Sequence, residues 1–205
     1  MVMAALVTMF PTGAAAVAEP LIQAAPRKVE VKPTKKEEPA PVAPPPSAAT
    51  TTPAATVTAI DDLRNRQLTL PVQGIKRDEL RDTFNEARGS ARKHEALDVL
   101  APRNTPVLAV EDGKIARLFL SDAGGITIYQ FDPTETYCYY YAHLERYADG
   151  LKEGAPIKRG QVIGYVGTTG NAPRDTPHLH FAIFKMTDEK RWWQGTPLDP
   201  YSVLK

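Results

Sequence analysis

The chain has 205 residues, enough for one ordinary domain with a substantial core plus some extra length. Its 25 Lys and Arg against 24 Asp and Glu give a formal net charge of +1, so no charge excess invites a polyanion and no nucleic-acid partner is expected. A single cysteine, Cys138, excludes an intrachain disulfide, so disulfide arithmetic points to neither redox compartment.

The chain opens on an apolar run, Met1 to Phe10, interrupted by Pro11 and Gly13 and followed by Ala16-Val17-Ala18 before Glu19. A hydrophobic stretch ending in a small-x-small site reads as a signal peptide over residues 1–18. The positive charge that normally begins such a segment is missing, since the first Lys or Arg is Arg27; the expectation is a signal peptide truncated at its start. The run falls short of the ~20 apolar residues of a bilayer span, so cleavage and export to the periplasm or cell envelope are expected, with no stable membrane span. Residues 19–57 are rich in Pro, Ala and Thr, including Pro41-Val42-Ala43-Pro44-Pro45-Pro46. That composition buries too little apolar surface to offset ordering entropy, and a disordered tether is expected.

Folded character is expected over 58–205. Asp61 or Asp62 can cap a short helix carrying Leu63, and Leu68, Leu70, Pro71 and Val72 suggest an extended segment. A second short helix is expected from Arg77 to Phe84, with Leu80 and Phe84 four apart on one face. Short strands then follow at Leu97–Leu100, Pro106–Val110, Gly113–Leu120, Ile126–Phe131, Tyr137–Ala142, Gln161–Val166 and His178–Phe184. Asp112-Gly113, Asp122 to Gly125, Asp149-Gly150 and Gly167 to Gly170 supply turns between them. With no crossover helices, the fold class is mainly β, a compact antiparallel sheet or barrel-like sandwich with short flanking helices.

The four histidines of the chain are His94, His143, His178 and His180. Residues two apart on a strand share a face, so His178 and His180 project together while Leu179 points to the apolar side. His94 and Asp98 would be ~13 Å apart on a straight strand, far beyond the reach of one metal ion at ~2 Å bonds. If both are ligands, the chain must curve between them; a helical turn is disfavoured by Val99 and Pro102.

The runs His94-Glu95-Ala96-Leu97-Asp98-Val99-Leu100-Ala101-Pro102, Tyr141-Ala142-His143-Leu144, Gly160-Gln161-Val162-Ile163-Gly164, Gly167-Thr168-Thr169-Gly170 and Pro177-His178-Leu179-His180-Phe181 resemble, in this order, the lysostaphin/LytM-type zinc endopeptidase domain. The likeness runs from about Leu70 to the C-terminus. It implies the duplicated-hybrid-motif type of fold and one Zn2+ held by His94, Asp98 and His180, with a fourth position left open. It also implies catalytic roles for His143 and His178, one as general base and the other as donor to the oxyanion or leaving amine, and peptidoglycan cross-links or stem peptides as substrate. Ala96 stands where the family usually has glycine, which would add strain if that position needs a positive φ.

Other readings compete with this one. A domain of this kind can serve as a non-catalytic activator of a cell-wall amidase, but such regulators lose their metal ligands, and here every ligand is present. A lipoyl-like carrier shares the Gly160–Gly164 texture and needs only one modifiable side chain. Gly164 to Gly170 lacks the Lys-Ser/Thr ending of a phosphate loop. Strand parity places Cys138 opposite His143 in facing, against a thiol nucleophile, and places Tyr139 and Tyr141 with His143 as candidate substrate-binding residues. Trp192 and Trp193 suit either the groove rim or the core, and Arg88, Arg92 and Lys93 either a substrate carboxylate or a solvated face.

Overall fold

A computed structural model describes residues 53–88 and 92–205. The expected signal peptide lies outside the described residues, as does the tether apart from residues 53–57. Those five open helix α1, Pro53–Asn65, which buries Ala59 and Leu63 against the rest of the domain. The chain then runs extended as expected: Val72 forms a bridge with Val107, and Thr69 N donates to the Val110 carbonyl at 2.9 Å.

The expected helix at Arg77–Phe84 is absent. Only a single 3-10 turn, Arg77–Glu79, forms there, and Leu80 leaves it in extended geometry at φ −69°, ψ 142°. The reason is that Leu80 and Phe84 serve different ends. Leu80 is buried in the core, while the segment beyond it stays extended so that Thr83 can reach the histidine site described below. Local apolar spacing is a weak signal over one or two turns.

Eleven strands follow among the described residues. β1 (Ala87–Arg88) and β2 (Arg92–Lys93) form a two-stranded antiparallel pair that the sequence pattern did not suggest. The other nine are β3 (Leu97–Leu100), β4 (Pro106–Leu108), β5 (Gly113–Ser121), β6 (Gly125–Phe131), β7 (Tyr137–Tyr147), β8 (Pro156–Ile157), β9 (Val162–Val166), β10 (His178–Met186) and β11 (Gly195–Leu198). They make one antiparallel sheet whose main path is β11-β10-β7-β6-β5-β8. A helix α2, Pro200–Leu204, closes the domain; Asp199 caps it by accepting from Tyr201 N at 2.9 Å, and Pro200 suits its first turn.

β7 organises the sheet. Along one edge it pairs with β10 over Tyr137–Ala142 and then with β9 over Leu144–Tyr147, so two neighbours share the edge in succession. β10 is shared in the same way, by β3 at His178–Phe181 and by β11 at Ile183–Met186. The sheet therefore curls without closing into a barrel. One face carries the main core, including Tyr139, Tyr141, Phe181, Leu179 and Ile183, all fully buried. The other face carries a smaller apolar cluster of Tyr129, Phe131 and Cys138, with Trp192 packed on it. The open cleft lies on this second face.

Candidate active site

Antiparallel pairing of β3 with β10 sets Asp98 directly across from His180, and pairing of β10 with β7 sets His180 across from Ala142. His94 arrives from outside the sheet. The bend needed between it and Asp98 is made at Glu95, which adopts a left-handed φ of 54°. Hydrogen bonds from His94 N to Glu86 O (2.8 Å) and from Glu95 N to Phe84 O (2.9 Å) hold that bend. Ala96 has no positive φ and is fully buried, so the alanine in place of glycine carries no backbone strain.

Three donor atoms converge. His94 Nε2 lies 3.0 Å from Asp98 Oδ1, His180 Nδ1 lies 3.1 Å from the same oxygen, and the two ring nitrogens are 3.0 Å apart. Tetrahedral coordination at ~2.1 Å bonds spaces its donors by about 3.4 Å, so this near-equilateral triangle fits a zinc-sized cation with a few tenths of an ångström of relaxation. The chemistry fits as well. His94 Nδ1 is 3.0 Å from the Thr83 carbonyl, which only accepts, so Nδ1 carries the hydrogen and Nε2 keeps its lone pair.

The remaining carboxylate oxygen, Asp98 Oδ2, accepts from Arg88 Nη2 at 2.6 Å, and Thr83 Oγ1 accepts from Asp98 N at 3.1 Å. Burial alone would raise the Asp98 carboxyl, but the adjacent His180 and His94 rings outweigh it and hold the group well below the usual carboxylate range. His180 is pushed down by burial, against the pull of Asp98.

His143 and His178 stand beside the triangle, their ring centroids 5.0 Å apart and the His143 ring 5.6 Å from that of His180. His143 Nδ1 donates to Thr169 O at 2.9 Å, and His178 Nδ1 to Thr176 O at 2.8 Å, which leaves Nε2 of each as the nitrogen without a hydrogen. His178 Nε2 lies 3.9 Å from Asp98 Oδ1. Burial, and then repulsion from His180, bring His143 down to about 4. All five residues line one cleft of about 540 Å³.

Tyr139 and Tyr141 do not line it. Both are fully buried on the opposite face: the Tyr139 hydroxyl donates to the Glu111 carboxylate, and that of Tyr141 donates to Gln130 Oε1 at 2.7 Å and accepts from Val110 N at 3.2 Å. The cause is a β-bulge. Ile128 pairs with Tyr141 but Ile126 pairs with Leu144, so β7 carries one extra residue, and His143 within it has φ 60°. The bulge turns His143 over to the face of Tyr140 and Ala142, which line the cleft instead; the Tyr140 ring stands edge-on to His180 at 6.0 Å.

Cys138 shares that face but is fully buried beneath Trp192, its Sγ 3.9 Å from the Trp192 carbonyl, and burial pushes its thiol upward. It is a packed hydrophobe, as expected. Trp192 divides its roles, packing on Tyr129 and Phe119 while also bordering the cleft beside the exposed Trp193. Sequence reasoning missed Thr83, Thr169 and Thr176, each of which offers a histidine its backbone carbonyl, a contribution that no side-chain pattern announces.

The fold and this constellation match a known family. The model of Peptidase family M23 matches residues 92–200. The chain belongs to that family. Among relatives, it is 36% identical to the L-Ala–D-Glu endopeptidase of Bacillus subtilis over 132 residues, 61% of this chain and 39% of that protein. It is 34% identical to the peptidoglycan DD-endopeptidase ShyC of Vibrio cholerae over 93 residues, 45% of this chain and 20% of that one. This M23 chain thus spans well under half the length of either relative. The catalytic domain of lysostaphin from Staphylococcus simulans superposes with a TM-score of 0.50 at 26% identity, covering 71% of this chain and 96% of that domain. No helix among the described residues is long and apolar enough to cross a membrane.

Proposed function

We propose that the chain is a zinc-dependent endopeptidase that hydrolyses peptide bonds in bacterial peptidoglycan, within or between stem peptides. Residues 1–18 direct export, residues from Glu19 to the start of α1 tether the domain, and the periplasm or cell envelope is the place of action. The named relatives support the substrate class, since they are endopeptidases and one is named for peptidoglycan.

The observation that carries the reading is the triangle of His94 Nε2, Asp98 Oδ1 and His180 Nδ1, with edges of 3.0 to 3.1 Å and two further histidines at its side. Two imidazoles and one carboxylate leave a coordination position open, which is the donor set of a catalytic rather than a structural zinc site. Zinc held by His94, Asp98 and His180 would supply Lewis acidity toward a carbonyl oxygen and toward water at neutral pH.

The protein's own groups do the rest. The Thr83 carbonyl fixes the His94 tautomer so that its lone pair faces the site. Arg88 occupies Asp98 Oδ2 and leaves Oδ1 alone toward the histidines. His143 and His178, with Nδ1 committed to backbone carbonyls, each present Nε2 for proton transfer: one, neutral at Nε2, takes the proton of the attacking water, and the other, in its imidazolium form, donates its Nε2 proton toward the carbonyl oxygen or the leaving amine.

The test is zinc analysis and digestion of purified sacculi by the full chain, with released fragments identified by mass. About one zinc per chain and release of cut stem peptides are expected, with both lost in His180→Ala. A chain that binds no zinc, or a His180→Ala variant that digests as fast as the wild type, overturns the reading.

A further inference from the structure

One wall of the cleft is built from the β1–β2 pair, and its register is unusual. Arg88 is the direct cross-strand partner of Arg92, and Ala87 that of Lys93. Direct partners share a face with side chains a few ångströms apart, where like charges repel. Arg88 is compensated by Asp98 at 2.6 Å and by Glu86 at 3.7 Å. Arg92 is exposed and has no carboxylate partner among the described residues, while Lys93 reaches only the neutral Asn85 Oδ1 at 3.2 Å. Arg88, Arg92 and Lys93 all line the cleft. The acidic side chains lining it are Asp98, already engaged by Arg88, and Glu95. The wall therefore offers the exposed Arg92 guanidinium, without a carboxylate partner among the described residues, to an anion entering the cleft.

Resting on the peptidase reading above, we infer that this wall is a carboxylate-recognition site centred on Arg92. It selects peptides bearing a free carboxylate near the scissile bond, the acidic stem type, over neutral glycine bridges. A guanidinium presents a planar fork that matches a carboxylate and loses that match when the carboxylate becomes a carboxamide. At a partly solvated cleft wall, such a contact is worth roughly a factor of ten.

The experiment uses the zinc-loaded full chain and three synthetic peptides: a cross-linked stem peptide with its side carboxylates free, the same peptide with them amidated, and pentaglycine acetylated at its N-terminus and amidated at its C-terminus. Binding is followed by calorimetry and cleavage by mass spectrometry, in wild type, Arg92→Gln and Arg92→Lys, with circular dichroism and zinc content confirming that the variants fold. Expected is about a tenfold preference for the free over the amidated stem peptide, carried by KM, falling to near one in Arg92→Gln and partly kept in Arg92→Lys. Selective binding of the free acid with no cleavage of any peptide supports the carboxylate site and removes the peptidase reading. Cleavage without discrimination between free and amidated forms, or discrimination that survives in Arg92→Gln, overturns the site and leaves the peptidase reading standing. Absence of both binding and cleavage overturns both.

Discussion

Gly125→Ala separates His143 from the three residues of the triangle. Gly125 has φ 65°, and a Cβ there would lie 2.2 Å from Thr169 Oγ1, 2.4 Å from the Thr169 carbonyl carbon and 2.5 Å from Gly170 N. Ordinary contact needs about a further ångström, and two of the three atoms are backbone, so the Thr169–Gly170 segment has to move by that much. Thr169 O accepts the Nδ1 hydrogen of His143, and the neighbouring Gly124 O accepts from His143 N at 2.8 Å, so the displacement acts on the anchor of this ring. The stability cost is about 1 kcal/mol for the left-handed alanine plus 1–3 kcal/mol for the overpacking. A shift of about an ångström in a catalytic group costs on the order of a hundredfold in rate. His94, Asp98 and His180 come from β3, β10 and the bend before them, outside the displaced turn, so the proposed zinc site should be kept. Peptide cleavage should fall about a hundredfold in kcat with zinc stoichiometry near that of wild type. Full activity, or loss of zinc in step with activity, would refute the assignment of this turn as a support of His143 that the triangle does not share.

Three more outcomes follow from the same geometry. Cys138 is fully buried with its thiol raised, so peptidase activity should survive iodoacetamide treatment of the native protein, with no adduct by mass; inactivation that tracks alkylation would contradict its placement. Arg66 bridges Glu111 at 3.3 Å and Asp132 at 2.9 Å, the latter almost fully buried, so Arg66→Ala should cost about 2–4 kcal/mol in denaturant unfolding at pH 7. Asp132 is depressed because its hydrogen bonds from Thr134, Tyr137 and Arg66 outweigh burial, so its contribution is present above about pH 4 and is lost as pH falls further. The Arg66→Ala deficit should accordingly shrink below about pH 4; a constant deficit from pH 7 to pH 3 would show that charge is not its origin. At Glu95, whose φ is 54°, Glu95→Gly should keep zinc and be neutral or stabilising by up to about 1 kcal/mol, whereas Glu95→Val should destabilise, both read by thermal unfolding.

Most of the architecture was legible because it rests on period-two alternation bounded by turns. The seven anticipated strands all form, with ends shifted by a few residues, and β7 runs five residues further than expected, to Tyr147. What was not legible depended on long-range closure. The β1–β2 pair is two residues long on each side, too short to leave a pattern, and the supposed helix at Arg77–Phe84 gives way because the Thr83 carbonyl is required at His94.

The error over Tyr139 and Tyr141 has a more specific cause. Parity along a strand assumes one residue per pairing step, and that assumption holds from Tyr137 to Ala142, so Tyr139 and Tyr141 do share a face. It fails at the next residue, where the extra position at His143 exchanges the faces. His143 thus has to be the irregular residue: a regular strand would bury its ring in the core with Tyr141, away from His178 and His180. Likewise the four-residue spacing of His94 and Asp98 is incompatible with a regular strand, and the chain resolves it with a left-handed residue at Glu95. The difference between the two is that the second conflict is visible in the sequence, because the proposed ligand set contains both side chains, while the first is not, because His143 finds its partners only across strands. Regular alternation builds the sheet, and the two departures from it, each at φ above +50°, turn the surface of that sheet into a site.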